Sequence, residues 1–166
     1  MHSRYVLQTP IGALTLLGTD QVLEEIQFDD GRVDAGNRQD VSKALEQAAV
    51  QLTEYFEGKR NDFDVPLELK GSDFQKKVWN ELRNIPYGET ISYGDLARRV
   101  GNPSAARAVG SANARNPIPI IVPCHRVIGT NGSLVGFGGG LSTKSYLLGL
   151  ESGTAEVAPS PSSHRL

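Results

Sequence analysis

SYGDLARRVGNPSAARAVGSANA, residues 92–114, decides how the second half of the chain is read. Ser92 is a capping residue, and a helix is expected over Tyr93–Val100, ending at Gly101. Asn102-Pro103 then leads into a second helix over about Ser104–Ala114. Two short helices joined by a Gly-Asn-Pro turn make a helix-turn-helix pattern. The second helix offers Ala105, Ala106, Ala108, Gly110, Ser111 and Ala112, with Arg107 alone among them. A helix that reads major-groove edges offers Arg, Gln or Asn forks, and this one does not. Small side chains allow close approach, either to the narrower minor groove or to a packed neighbour. Both readings stand at this point. A guanidinium at Arg107 has the shape to fill a gap in a base stack.

On the upstream side, Ser72 caps an expected helix running to about Arg83, with Phe74, Val78, Trp79 and Leu82 inward. Ile85-Pro-Tyr-Gly88 is a turn. Downstream, Asn116-Pro117 precedes Ile118–Val122, an apolar run read as a buried strand or extended segment. It leads to Pro123-Cys124-His125-Arg126. A Gly-rich loop over Gly129–Gly140 and a last helix over Ser142–Leu150 follow. The first third alternates in β style. Tyr5–Gln8 and Leu14–Leu17 flank a Thr9–Gly12 turn, and Val22–Phe28 is a third run. Val41–Phe56 has helical spacing, with Leu45, Ala48, Ala49, Leu52 and Phe56 on one face. Asp62–Leu69 alternates again, placing Phe63, Val65, Leu67 and Leu69 together. The expected fold is α+β: an N-terminal α+β domain over 1–71, then a mainly helical domain over 72–151. Residues 152–166, with Pro159, Pro161 and several Ser, have the composition of a disordered tail.

Composition narrows the function classes. At 166 residues, 39% hydrophobic and 22% charged, the chain has the balance of a soluble globular protein. No run approaches the ~20 apolar residues of a membrane span. The start, Met-His-Ser-Arg-Tyr, lacks the apolar core of a secretory signal, so a cytoplasmic location is expected. The single cysteine, Cys124, excludes an internal disulfide and a thiolate zinc cluster, and no metal or cofactor is expected. Residues 1–71 carry seven Lys/Arg and 13 Asp/Glu, a balance of −6, whereas residues 72–151 carry nine and five, a balance of +4. A basic second half is compatible with phosphate contact on that side, and equally with an ordinary solvated surface.

A lone cysteine is commonly a small buried hydrophobe. As a nucleophile it acts as thiolate, which a nearby imidazole or a helix start makes easier to form, so an ionised, reachable sulfur is the expectation. Adjacent side chains on a straight strand point to opposite faces, so a turn or a bridging water must bring Cys124 and His125 together. Glu151 is the next acid after Cys124. A carboxylate at the end of the last helix can fix an imidazole tautomer and favour its charged form.

The string Ile-Ile-Val-Pro-Cys-His-Arg-Val-Ile-Gly, residues 120–129, resembles the active-site signature of the O6-alkylguanine-DNA alkyltransferases. Phe74-Gln75, Val78-Trp79, Ile85–Gly88, Ser92–Gly94, Ala105–Gly110, Asn116-Pro117, Gly138–Gly140, Lys144, Leu147-Leu148 and Glu151 resemble the family in the same order. The resemblance covers residues 72–151 and extends more loosely over 1–71. It implies a ribonuclease H-like N-terminal unit and a C-terminal DNA-binding unit. It also implies repair of O6-alkylguanine, and of O4-alkylthymine, in double-stranded DNA bound through the minor groove by a monomer.

By that resemblance Cys124 would accept the alkyl group, and His125 would act on its proton through a water. Glu151 would hold His125, and Tyr93 would donate to the departing guanine. Asn116 would be a hinge between the recognition helix and the active-site segment. Arg107 would replace the extruded nucleotide, with Ala106, Ser111 and Ala112 beside it on the DNA. Val127, Phe137 and Gly138 would line the guanine pocket, with Lys144 nearer its rim. Phe137 stands where many members have Tyr, and Gly138 where some have Ser. Three other readings compete. A transcriptional DNA binder would need base-reading forks. An alkyltransferase-like lesion binder would lack the cysteine. A cysteine hydrolase would need an oxyanion hole that the sequence does not specify.

Overall fold

The computed structural model describes residues 2–28, 41–129, 137 and 139–153. The fold is α+β, and the chain forms two compact units, one over the described residues up to Leu69 and one from Lys70 onward. The tail from residue 154, residues 130–136 of the Gly-rich loop and Gly138 lie outside the described residues.

In the first unit, β1 (His2–Thr9), β2 (Gly12–Thr19) and β3 (Leu23–Phe28) form an antiparallel sheet in that order. The β1–β2 turn closes because Thr9 Oγ1 accepts from the Ile11 N–H at 3.1 Å and donates to the Gly12 carbonyl at 2.6 Å. Gly12 supplies the positive φ of 101° that this turn requires. Leu14 and Leu16 on β2 and Leu23 on β3 are fully buried. Helix α1 (Lys43–Phe56) is capped by Ser42 and buries Leu45, Ala48, Leu52 and Tyr55. The expected strand over Asp62–Leu69 is not regular. Only a single bridge forms, with Leu23 donating to the Pro66 carbonyl and Glu68 to the Leu23 carbonyl. Pro66 has no N–H to extend a ladder, which is why the alternating pattern overstated the strand.

In the second unit, α2 (Asp73–Leu82) begins at a reciprocal Ser72–Gln75 capping box. Strand β4 (Ile91–Ser92) runs into α3 (Tyr93–Arg99), capped by Ser92 and Asp95 in the same manner. Helix α4 (Ala106–Ala114) starts two residues later than expected, because the Ala105 N–H first closes a turn on the Asn102 carbonyl. Trp79 on α2 donates its indole N–H to the Ala112 carbonyl at 2.8 Å, fixing α2 against α4. Next come a one-turn 3-10 helix (Cys124–Arg126), β5 (Val127–Ile128), parallel to β4, and α5 (Leu141–Ser152).

The Ile118–Val122 segment is a tight buried turn, not a strand. The Val122 N–H closes on the Ile118 carbonyl at 2.9 Å, and Ile120 takes a positive φ of 75°. A β-branched residue there costs roughly 1–3 kcal/mol, which burial of Ile118, Ile120 and Val122 offsets. Asn116 imposes the turn: its side-chain oxygen takes the Ile118 N–H at 2.9 Å and its amide donates to the Val122 carbonyl at 2.7 Å.

Candidate active site

Cys124, His125 and Arg126 lie on a 3-10 turn rather than on a straight strand. Successive side chains rotate by about 120° on such a turn rather than alternating across a strand. His125 Nε2 lies 2.7 Å from Glu151 Oε2, and both side chains are buried. Burial works to raise the Glu151 carboxyl, but hydrogen bonds from His125 and Arg126 outweigh it and hold the carboxyl down to about 2. Glu151 is therefore a carboxylate at neutral pH, so His125 Nε2 must carry the proton in that contact. A neutral ring with Nε2–H leaves its lone pair on Nδ1. That nitrogen is buried and has no hydrogen-bond partner among the described residues.

Cys124 is 5% exposed. Burial pushes its thiol up to about 11, against the opposing influence of an Asn116 hydrogen bond and the Lys144 charge. The expectation of an ionised, reachable sulfur is thus corrected: the resting group is a covered thiol, and a base is needed when it reacts. Burial lowers the His125 pKa, Glu151 pulls it back up, and the Arg126 and Lys144 charges lower it. Tyr93 is shifted up, first by burial and then by the nearby Cys124, so its hydroxyl stays protonated at neutral pH. Its ring packs beside Gly110 of α4.

The other expected site residues divide. Asn116 sits just after α4 and clasps the turn leading to Cys124. Val127 is buried on β5, and Phe137 is half-buried. Arg107 and Ser111 are exposed on α4 and Ala106 is half-exposed, so they share an accessible surface. Ala112 does not belong to that surface: it is 3% exposed, facing the α2 side where Trp79 takes its carbonyl. Nor is Lys144 at a rim. It is fully buried, with Nζ donating to the Val127 carbonyl at 2.6 Å. Gly138 lies outside the described residues.

Two residues near the site escaped the sequence reading. Arg126 is buried, with Nε and Nη2 on the two Glu151 oxygens at 2.8 and 2.9 Å and Nη1 on the Ile85 carbonyl at 2.6 Å. The available signal was the absence of any acid between Asp95 and Glu151, which leaves Glu151 the partner closest in sequence for both His125 and Arg126. Asn113 donates to the Cys124 carbonyl at 3.4 Å from inside α4.

One unit thus joins a helix-turn-helix to a buried cysteine whose neighbour in the chain is an imidazole paired with a carboxylate. Residues 73–153 match the DNA binding domain of 6-O-methylguanine DNA methyltransferase, and residues 3–69 match its ribonuclease-like domain. The chain belongs to the 6-O-methylguanine DNA methyltransferase family. It is 50% identical over 147 residues to a methylated-DNA--protein-cysteine methyltransferase of Mycolicibacterium paratuberculosis, covering 87% of this chain and 89% of that one. A relative of the same name from Methanosarcina acetivorans is 47% identical over 88% of this chain and 96% of its own. The crystal structure of Mycobacterium tuberculosis OGT in complex with DNA superposes with a TM-score of 0.82 at 48% identity, covering 92% of this chain and 94% of that one. No helix among the described residues is long and apolar enough to cross a membrane.

Proposed function

We propose that the chain repairs DNA directly, by moving the alkyl group of O6-alkylguanine onto Cys124 Sγ, once per molecule. Family membership supports the reaction class. The assignment of residues rests on the His125–Glu151 pair, which leaves a buried Nδ1 lone pair in the residue next to the only thiol. In the reaction, His125 Nδ1 takes the Cys124 proton through a bridging water. The sulfur attacks the saturated alkyl carbon, and the carbon–O6 bond breaks with its electron pair on the guanine. The protonated Tyr93 hydroxyl donates to that leaving group, so the proton lost from the thiol is matched by one gained by guanine. The product is a thioether that water does not cleave, so the protein is consumed.

The target atom is closed off inside a duplex, so the nucleotide must leave the stack, at roughly a few kcal/mol. A minor-groove helix with Ala106 and Ser111 close to the backbone and Arg107 filling the gap suits that step. Asn116 ties α4 to the turn before Cys124, while Val127 and Phe137 border the guanine. O4-alkylthymine is a second substrate of the same chemistry. The protein acts as a monomer, in the cytoplasm. A Cys124→Ala variant tests the assignment. It should bind O6-methylguanine duplex within about threefold of the native protein, since a small buried thiol contributes little to binding, and transfer nothing. Retained transfer excludes Cys124 as acceptor, and parallel loss of binding makes it a structural residue.

A further inference from the structure

Glu151 is shared. Its Oε2 accepts from His125 Nε2 at 2.7 Å and from Arg126 Nη2 at 2.9 Å, while Oε1 accepts from Arg126 Nε at 2.8 Å and the Gly88 N–H at 3.3 Å. A carboxylate facing an imidazole alone favours the imidazolium, as an ion pair. An imidazolium has no lone pair with which to accept the thiol proton. A guanidinium forked onto the same carboxylate satisfies that negative charge without a proton from the histidine.

Arg126 is held for this task. It is 6% exposed, its third nitrogen is on the Ile85 carbonyl at 2.6 Å, and its guanidinium lies 5.7 Å from the Tyr87 ring centroid. We propose that Arg126 is a positioning residue: its fork on Glu151 keeps His125 a neutral ring with Nδ1 open to receive the Cys124 proton. This role rests on the transfer reaction proposed above. When the proton arrives at Nδ1, Glu151 is already aligned with Nε2 to steady the transient imidazolium.

The charged and titratable surroundings of His125 are consistent with this assignment. From α5 come Glu151 and Lys144, from its own turn Cys124 and Arg126, and from the turn before β4 Tyr87. Helix α2 packs with buried Val78, Trp79 and Leu82, while its Asp73, Lys76 and Lys77 are exposed and Glu81 is partly so. Burial is the largest influence lowering the His125 pKa, Glu151 acts to raise it, and the Arg126 charge opposes Glu151 ahead of Lys144.

The test is the pH profile of single-turnover methyl transfer for the native protein, Arg126→Gln and Arg126→Lys. Loss of the charge should slow transfer about tenfold at pH 6 yet keep it within about threefold of native at pH 9, where the imidazole is neutral in either protein. Arg126→Lys, which keeps the charge, should restore much of the rate at pH 6. Equal slowing of Arg126→Gln at every pH, or no rescue by Lys, overturns the role. A measurement on the native protein covers the case in which the variants do not fold. Nitrogen NMR of His125 should show a neutral ring at pH 6.5, where an unperturbed histidine is half charged. Imidazolium signals there overturn the proposal. Mass analysis of Cys124 in the native samples reports the reaction itself. Its failure sinks the parent reading too, whereas an acid limb unmoved by Arg126→Gln sinks only the positioning role.

Discussion

Cys124, the proposed acceptor, rests as a covered thiol. Burial raises its thiol from 9.0 to about 11, so the resting thiolate fraction at neutral pH is about a hundredfold below that of a free thiol. Iodoacetamide should therefore label Cys124 about a hundredfold more slowly than a free thiol at pH 7. Labelling should accelerate with pH without a plateau below pH 9. A plateau near pH 7 would mean that a standing thiolate–imidazolium pair exists and that no base is needed. The sequence exposed which residue types were present but not this protonation state. Burial of one sulfur depends on α4, α5 and the Asn116 clasp together, and no local pattern encodes their joint packing. The same limit explains Lys144, whose long chain reads as surface but whose Nζ finds the Val127 carbonyl inside.

Among the helices, α4 carries the surface proposed to face DNA. Its accessible side presents Arg107, Ala108 and Ser111, and its inner side presents Val109, Ala112 and Asn113. Arg107→Ala should slow repair of duplex substrate about tenfold or more, with little effect on the same lesion in a single strand, where no stack must be opened. Equal slowing on both substrates would remove Arg107 from the flipping step. The helix-turn-helix was legible because its signals are local: Ser92 caps α3, Gly101 ends it, and the Asn102-Pro103 turn leads into α4, which has no side-chain cap and begins two residues late. The Ile118–Val122 turn was not legible. Its shape comes from Asn116 reaching to Val122, which overrides the strand preference of Ile and Val. Asp62–Leu69 was overread in the same sense: alternation is present, but Pro66 interrupts the ladder.

Across the whole molecule, the buried Arg126–Glu151–His125 cluster links stability to pH. The folded-state pKa of Glu151 is depressed, from 4.5 to about 2, so its contribution is present above pH 4.5 and is lost as pH falls toward 2. The folded-state pKa of His125 is also lowered, so the folded protein resists its protonation and loses stability as pH drops below 6.5. Both effects have the same sign. Thermal melts should shift to lower temperature progressively from pH 6.5 downward, and Glu151→Gln should remove the part between pH 4.5 and 2. A melting temperature flat across that interval in the native protein would contradict the buried ion pair. The two-unit α+β organisation was visible in the sequence as a shift from alternating to helical patterns near Gly71, together with a shift from acidic to basic charge. The pairing of β4 with β5 was not visible, since two-residue strands leave no periodicity to detect.

The proposed reaction leaves an alkyl group covalently on one sulfur, and the mass of the protein before and after exposure to excess duplex containing O6-methylguanine tests it. One methyl group per molecule is predicted, on the peptide that contains Cys124, with no further gain on longer incubation. An unchanged mass, or a methyl group on any other residue, would contradict it.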